Sequence, residues 1–421
     1  MDCMGDASMI DRLTIRMYDM GFGDCFLLSV WTGARPRHVL FDCGSLSRSK
    51  PQVAKVAKDV IAACTTAGGK ARIELVVCTH RHKDHVCGFD DPNWANVEVG
   101  EVWMPWTEDP SDPDATRIRN RQSAFALALC STLKPGFNSD DLPLAGAGPQ
   151  TQKAARLALA LNSLTNERAM SVIHRGFQGV APRRFLPLKD KSAEVRYLDG
   201  LPGVRFHVLG PSRNEKVIAA MDPPDGAAYF AGSNLAFCAM NETGACEATW
   251  RVTADRYRAD NPDITFSEAD QKDVDRLADE PDGDFAAAID NAVNNTSLIL
   301  AVEVGDQLLL FPGDAQWGSW DAILQQPEIR DLLRRVTVLK VSHHGSHNGT
   351  PKSLVETILS ENVTAFMSTG SVKQWPNIPR GPLITALSAK TKLARSDKTA
   401  PAGFKGHDGL YIEWETPVLA I

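Results

Sequence analysis

Leu75-Val76-Val77-Cys78-Thr79-His80-Arg81-His82-Lys83-Asp84-His85 runs from an apolar, β-branched stretch straight into three histidines and an aspartate within six positions. The apolar part predicts a buried strand, so the histidines fall where that strand spills into a loop. Alternation puts His80 and His82 on one side, and Asp84 and His85 follow after the chain turns. Imidazole nitrogen and carboxylate oxygen suit zinc, manganese or iron, and ligands packed this densely suffice for two adjacent ions. A lone histidine would read as part of a solvated loop; four ligand-type side chains in this order read as a metal site.

Two later segments extend the cluster. Leu308-Leu309-Leu310-Phe311-Pro312-Gly313-Asp314 is an expected strand that ends in Gly-Asp and presents one carboxylate at a sheet edge. Val336-Thr337-Val338-Leu339-Lys340-Val341 is another, emptying into Ser342-His343-His344-Gly345-Ser346-His347. With these motifs the chain resembles the metallo-β-lactamase-fold hydrolases, whose signature is His-x-His-x-Asp-His, then a Gly-Asp, then a further histidine. Within that superfamily it is most similar to the soluble hydrolase domain of ComEC-type competence (DNA-uptake) proteins. Gly21-Phe22-Gly23-Asp24, Phe41-Asp42-Cys43-Gly44, Asn294-Asn295-Thr296-Ser297-Leu298 and the His-His-Gly-Ser run carry that likeness, which covers roughly 12–106, 203–211 and 291–421.

The resemblance implies an α/β fold, a four-layer αββα sandwich, in one domain spanning 1–421 with two insertions, a helical one at 107–200 and an acidic one at 211–290. It also implies two divalent ions, zinc or manganese. His80 and His82 would hold one, Asp84 and His85 the other, Asp314 would bridge them and His343 would complete the ligand set of the second ion. Such a pair of ions can share a hydroxide and steady attacking and leaving oxygens. Asp84 and His344 are the expected catalytic side chains, although sequence alone does not separate His343 from His344. Many superfamily members have a further histidine between the first cluster and Gly-Asp, and His174 and His207 lie in that interval. Where ComEC-like domains often carry Gly-His-Pro, this chain has Asn377, an amide that can donate a hydrogen bond but is a poor proton donor.

Elsewhere, 12–42 reads as three strands, 51–67 as a helix with proline at its start and Gly68-Gly69 beyond its end, and 97–104 as a strand. Alanine- and leucine-rich helix candidates occupy 115–133 and 151–169, and 205–209 returns to strand character. From Ser297 the pattern is strand, turn at Gly305-Asp306, strand, helix, strand, metal loop, helix 352–359 and strand 363–368.

The 421 residues are 43% hydrophobic and 23% charged, ordinary for a globular protein. No run approaches the ~20 apolar residues of a membrane span, and the first residues lack the features of a signal peptide. Nine scattered cysteines, never spaced Cys-x-x-Cys, suggest reduced, buried thiols in a cytoplasmic protein. Cys43, Cys78 and Cys87 flank the cluster and read as small packed hydrophobes. The net charge of −7 is uneven: 211–290 carries 17 acidic and 7 basic residues, and 331–407 carries 11 basic and 4 acidic. An acidic total therefore leaves room for a polyanionic substrate, because fields act locally.

The expected function is a metal-dependent hydrolase, a phosphodiesterase or nuclease acting on nucleic acid or another phosphodiester, with no membrane partner. The alternatives are a lactone, amide or thioester hydrolase on the same fold, and a catalytically weak binding or sensing module.

Overall fold

The computed structural model describes residues 10–120, 166–188, 194–220, 223–224, 226–229, 293–372 and 377–419. Most of the expected insertions 107–200 and 211–290, and much of the helix candidates at 115–133 and 151–169, lie outside these residues. The described strands form two large mixed sheets. The first contains β1 (Arg12–Tyr18), β2 (Phe26–Thr32), β3 (Arg35–Phe41), β4 (Ala71–Val77), β5 (Val97–Pro105), β6 (Arg183–Leu186), β14 (Lys405–His407) and β15 (Tyr411–Pro417). Its spatial order is β14-β15-β1-β2-β3-β4-β5-β6. The second contains β7 (Glu194–Arg196), β8 (Val204–Gly210), β9 (Ile299–Val304), β10 (Gln307–Phe311), β11 (Val338–Lys340), β12 (Val363–Met367) and β13 (Thr391–Arg395). Its order is β13-β12-β11-β10-β9-β8-β7.

β1 to β3 form an antiparallel meander, with Leu13 opposite Val30 and Ile15 opposite Leu28. From β3 to β6 the pairing is parallel, as it is from β10 to β13. Parallel neighbours need a crossover. α1 (Lys50–Ala63) supplies it between β3 and β4, α2 (Lys83–Val86) opens the next, and α3 (Glu167–Arg175) precedes β6. In the second sheet α4 (Glu215–Ala219) follows β8, α5 (Trp317–Leu324) and α6 (Pro327–Leu333) join β10 to β11, and α7 (Gly381–Lys390) joins β12 to β13. All these parallel strands therefore end on one side, where an open α/β sheet gathers its functional loops.

Alternation explains the layering. Leu13, Ile15, Leu28, Leu75, Val77, Leu300, Val302, Leu309 and Val338 share one hydrophobic cluster drawn from both sheets. The opposite faces carry Leu27, Leu40 and Val76 against Val53, Val56 and Val60 of α1, and Ile299, Leu310 and Ala365 against Trp320, Leu333 and Leu383. β4 is buried on both faces, which is why it reads as a continuous apolar run. Just beneath the strand ends, the rings of Phe41 and Phe311 stack at 3.9 Å across the two sheets. Each such buried side chain contributes about 1.5–3 kcal/mol, and this pair ties the two halves together directly below the loops.

The structure departs from expectation in three places. α1 ends four residues before Ala67, because Thr65 Oγ1 donates back to Ile61 O and Thr65 bridges to Ala71. The stretch 107–200 is not only helical: β6 and β7 extend one edge of each sheet. The C-terminal β15 crosses to the first sheet and pairs antiparallel with β1, so the sheets are not simply the two sequence halves. Among the described residues, no helix is long and apolar enough to cross a membrane.

Candidate metal centre

The loops that follow β1, β3, β4, β10, β11 and β12 meet at the shared strand ends. Close backbone approach sets their positions. Gly23 has φ +152°, and a Cβ there would lie 2.2 Å from Gly44 O and 2.8 Å from Asp84 O. Asp24 N donates to Asp84 O at 2.9 Å and Cys43 N to His85 O at 2.7 Å. The Gly-Asp and Asp-Cys-Gly motifs are thus the cradle against which the histidine loop is pressed.

One half of the site is rich in carboxylates. Asp84, His85, Asp314 and His344 are buried and offer ligand atoms that all lie within 4.8 Å of one another. Asp314 Oδ2 stands 3.1 Å from His85 Nε2 and 3.1 Å from His344 Nε2, and Asp84 Oδ2 stands 3.1 Å from the latter. The far nitrogens are tied down: His85 Nδ1 lies 2.8 Å from Asp42 Oδ2, and His344 Nδ1 lies 3.0 Å from Ser368 O. A carbonyl can only accept, so His344 Nδ1 carries the proton and Nε2 is left to face the carboxylates. Asp42 is itself held by Thr79, whose N and Oγ1 donate to it at 2.8 and 2.6 Å. Burial opposes charge on His85, yet Asp314 and Asp42 outweigh it and push its pKa well above the usual range. For His344 burial is likewise overcome, by Asp314 and Asp84, and the pKa is pushed up to about 10. Asp314 is held well below its ordinary value, because His344, His85 and Lys340 together outweigh its burial.

The other half is imidazole-rich. His80 Nε2 lies 3.1 Å from His82 Nδ1, and the His80 ring sits 4.1 Å from that of His85. His80 Nδ1 faces Thr79 Oγ1 at 3.1 Å and Ser297 Oγ at 3.2 Å. Since Thr79 gives its proton to Asp42, its oxygen is free to accept from His80 Nδ1, which leaves His80 Nε2 with a lone pair turned to the site. Burial drives the His80 pKa well below its ordinary value and lowers that of His82 to about 4.

His343, expected as the ligand, is not in the donor group; His344 is. Both adopt left-handed backbone, φ 49° and 52°, and this sharp turn aims the adjacent rings apart. His343 is partly exposed, with Nδ1 3.1 Å from Asn348 Oδ1 and Nε2 3.2 Å from Asn294 Nδ2. His174, half-buried on α3, lies by Phe185, and His207 pairs with Glu303 at 2.8 Å, so neither joins the donors. Asn377 is exposed, and 373–376 before it lie outside the described residues. Cys43 and Cys78 are buried free thiols and Cys87 is partly buried. Sequence alone assigns no role to Asp42, Ser368 or Lys340; a carboxylate closing a buried strand, as Asp42 does after Phe41, is the signal that points to the first.

The donor set fits a cation. Asp42, Asp84 and Asp314 are each no more than 5% exposed; buried carboxylates this close are costly unless positive charge lies among them, and Lys340 supplies only one such charge. Nitrogen and oxygen donors with their outer atoms already hydrogen-bonded are what a transition-metal site requires. The buried His and Asp groups can therefore hold a metal ion. No model of a known protein family matches this chain, and no curated protein matches it.

Proposed function

We propose that the chain is a metal-dependent hydrolase of phosphodiester bonds, with nucleic acid as the substrate class, built on the four-layer αββα sandwich of the metallo-β-lactamase type with insertions at 107–200 and 211–290. The observation that carries this reading is the convergence of Asp84, His85, Asp314 and His344 beside the paired His80 and His82. Two ions, zinc or manganese, would be held by these six side chains. When bound, they supply Lewis acidity and an acidified water. The side chains do the rest. His344 and His85 are oriented by Ser368 and Asp42. Asp84, held below the usual carboxylate range as His344 and His85 outweigh its burial, is an orienting acceptor for an attacking water rather than a strong base. His343, at the partly exposed rim, would meet the substrate.

A second reading, hydrolysis of a lactone, amide or thioester, is favoured by one observation. Four of the 11 basic residues in 331–407 are already in close ion pairs: Arg335 with Glu303, Arg334 with Asp331, Arg395 with Asp397 and Lys340 with Asp24 and Asp314. A panel of single-stranded and duplex nucleic acids, small phosphodiesters and neutral esters, assayed with added zinc or manganese over a salt series, separates the two. Nucleic-acid cleavage that weakens with salt by about 0.7–0.9 log units per log of salt for each phosphate contact supports the first. Turnover confined to neutral esters, indifferent to salt, replaces it with the second.

A further inference from the structure

Lys340 is the last residue of β11, and its side chain is 3% exposed. Its ammonium has three hydrogens and three acceptors: Asp24 Oδ2, Asp314 Oδ1 at 3.0 Å and Gly313 O at 2.8 Å. Asp314 is thereby divided. One oxygen belongs to the lysine, and the other, Oδ2, faces His85 Nε2 and His344 Nε2. Asp24, on the loop that follows β1, completes the arrangement.

We infer that Lys340 is a positioning residue that restricts Asp314 to a single metal-facing oxygen and so sets the coordination number of the ion held with Asp84, His85 and His344. The inference rests on the metal-dependent reading above. A carboxylate with both oxygens free can chelate one ion through both, adding a ligand; the ammonium on Oδ1 forbids that. The same fixed positive charge lies one carboxylate away from the ion and opposes its binding. Both effects act in one direction. Loss of the ammonium raises the coordination number and tightens binding, while the protein without metal loses the cation that offsets its buried carboxylates.

Cobalt(II) tests this, because its visible absorption weakens as coordination number rises. Chelator-stripped wild type, Lys340→Met and the double variant Asp24→Asn/Lys340→Met are titrated with cobalt(II). The double variant removes Asp24's charge together with the lysine's, so it remains measurable if the single variant does not fold. Both variants should show severalfold weaker visible absorption per bound ion, and Lys340→Met, which removes positive charge alone, should also bind about tenfold tighter. Asp24→Asn alone, which keeps Lys340 on Asp314, should retain the wild-type spectrum. Cobalt uptake with the same spectrum in the double variant and wild type overturns the role of Lys340 and leaves the metal centre standing. No cobalt uptake by wild type overturns the metal centre and this inference with it.

Discussion

The two halves of the candidate centre hold the same kind of side chain in opposite states. His344 and His85 face Asp84, Asp314 and Asp42, and their pKa values are raised, to about 10 for His344. His80 and His82 face each other, and burial lowers them, to about 4 for His82. Carboxylates decide the difference, since both pairs are equally buried. An ion entering the first half must displace protons, whereas the imidazoles of the second half are already neutral at pH 7. On the two-ion reading proposed above, the same donor type would give one subsite whose occupancy follows pH and one that is indifferent to it until strongly acid conditions.

The largest expected effect comes from the carboxylate at the centre of the first half, Asp314. Asp314→Asn keeps shape but removes the charge on the oxygen shared by His85 and His344, so hydrolysis should fall by at least about a hundredfold at limiting metal, with the ion of the first half lost. Full activity in that variant at limiting metal would take Asp314 out of the site. Next comes the pair of adjacent histidines. His344→Ala should weaken metal affinity about 10–100-fold, while His343→Ala should leave affinity unchanged and alter KM or kcat. Calorimetric titration of both variants gives the answer, and equal losses would dissolve the distinction drawn between them.

The smallest effect, counted per unit of pH, is the pH dependence of ion binding. Without metal, His344 keeps its proton below about 10, and Nε2 must lose it to become a ligand. Affinity should therefore rise with pH, by about tenfold per unit for each proton displaced, and level off as pH passes about 10. The step assigned to His80 and His82 should stay flat down to about the pKa of 4 set for His82. Protons released per ion, measured in buffers of different ionisation enthalpy, distinguish the two; equal release at both steps would erase the contrast.

Much of this was legible in the sequence because it is periodic or local. The apolar run 75–78, the meander at 12–42 and the alternation after Ser297 follow from which faces are buried, and the structure has strands at each. The donors Asp84, His85 and Asp314 stood out because ligand-type side chains follow directly on apolar strands. What sequence did not resolve depends on contacts between distant segments. The choice between His343 and His344 is made by a left-handed turn and by Ser368, 24 residues further on. Lys340 reads as an ordinary strand residue until Asp24 and Asp314 are seen around it. Likewise, the pairing of β15 with β1 spans nearly the whole chain, and no local pattern announces it.

The most direct test is the metal content of the protein purified without chelator, determined by elemental analysis together with its melting temperature before and after stripping. Two divalent ions per chain, zinc or manganese, with a lower melting temperature once they are removed, is the predicted result. Absence of bound metal, with no rise in melting temperature when zinc or manganese is added back, would contradict it.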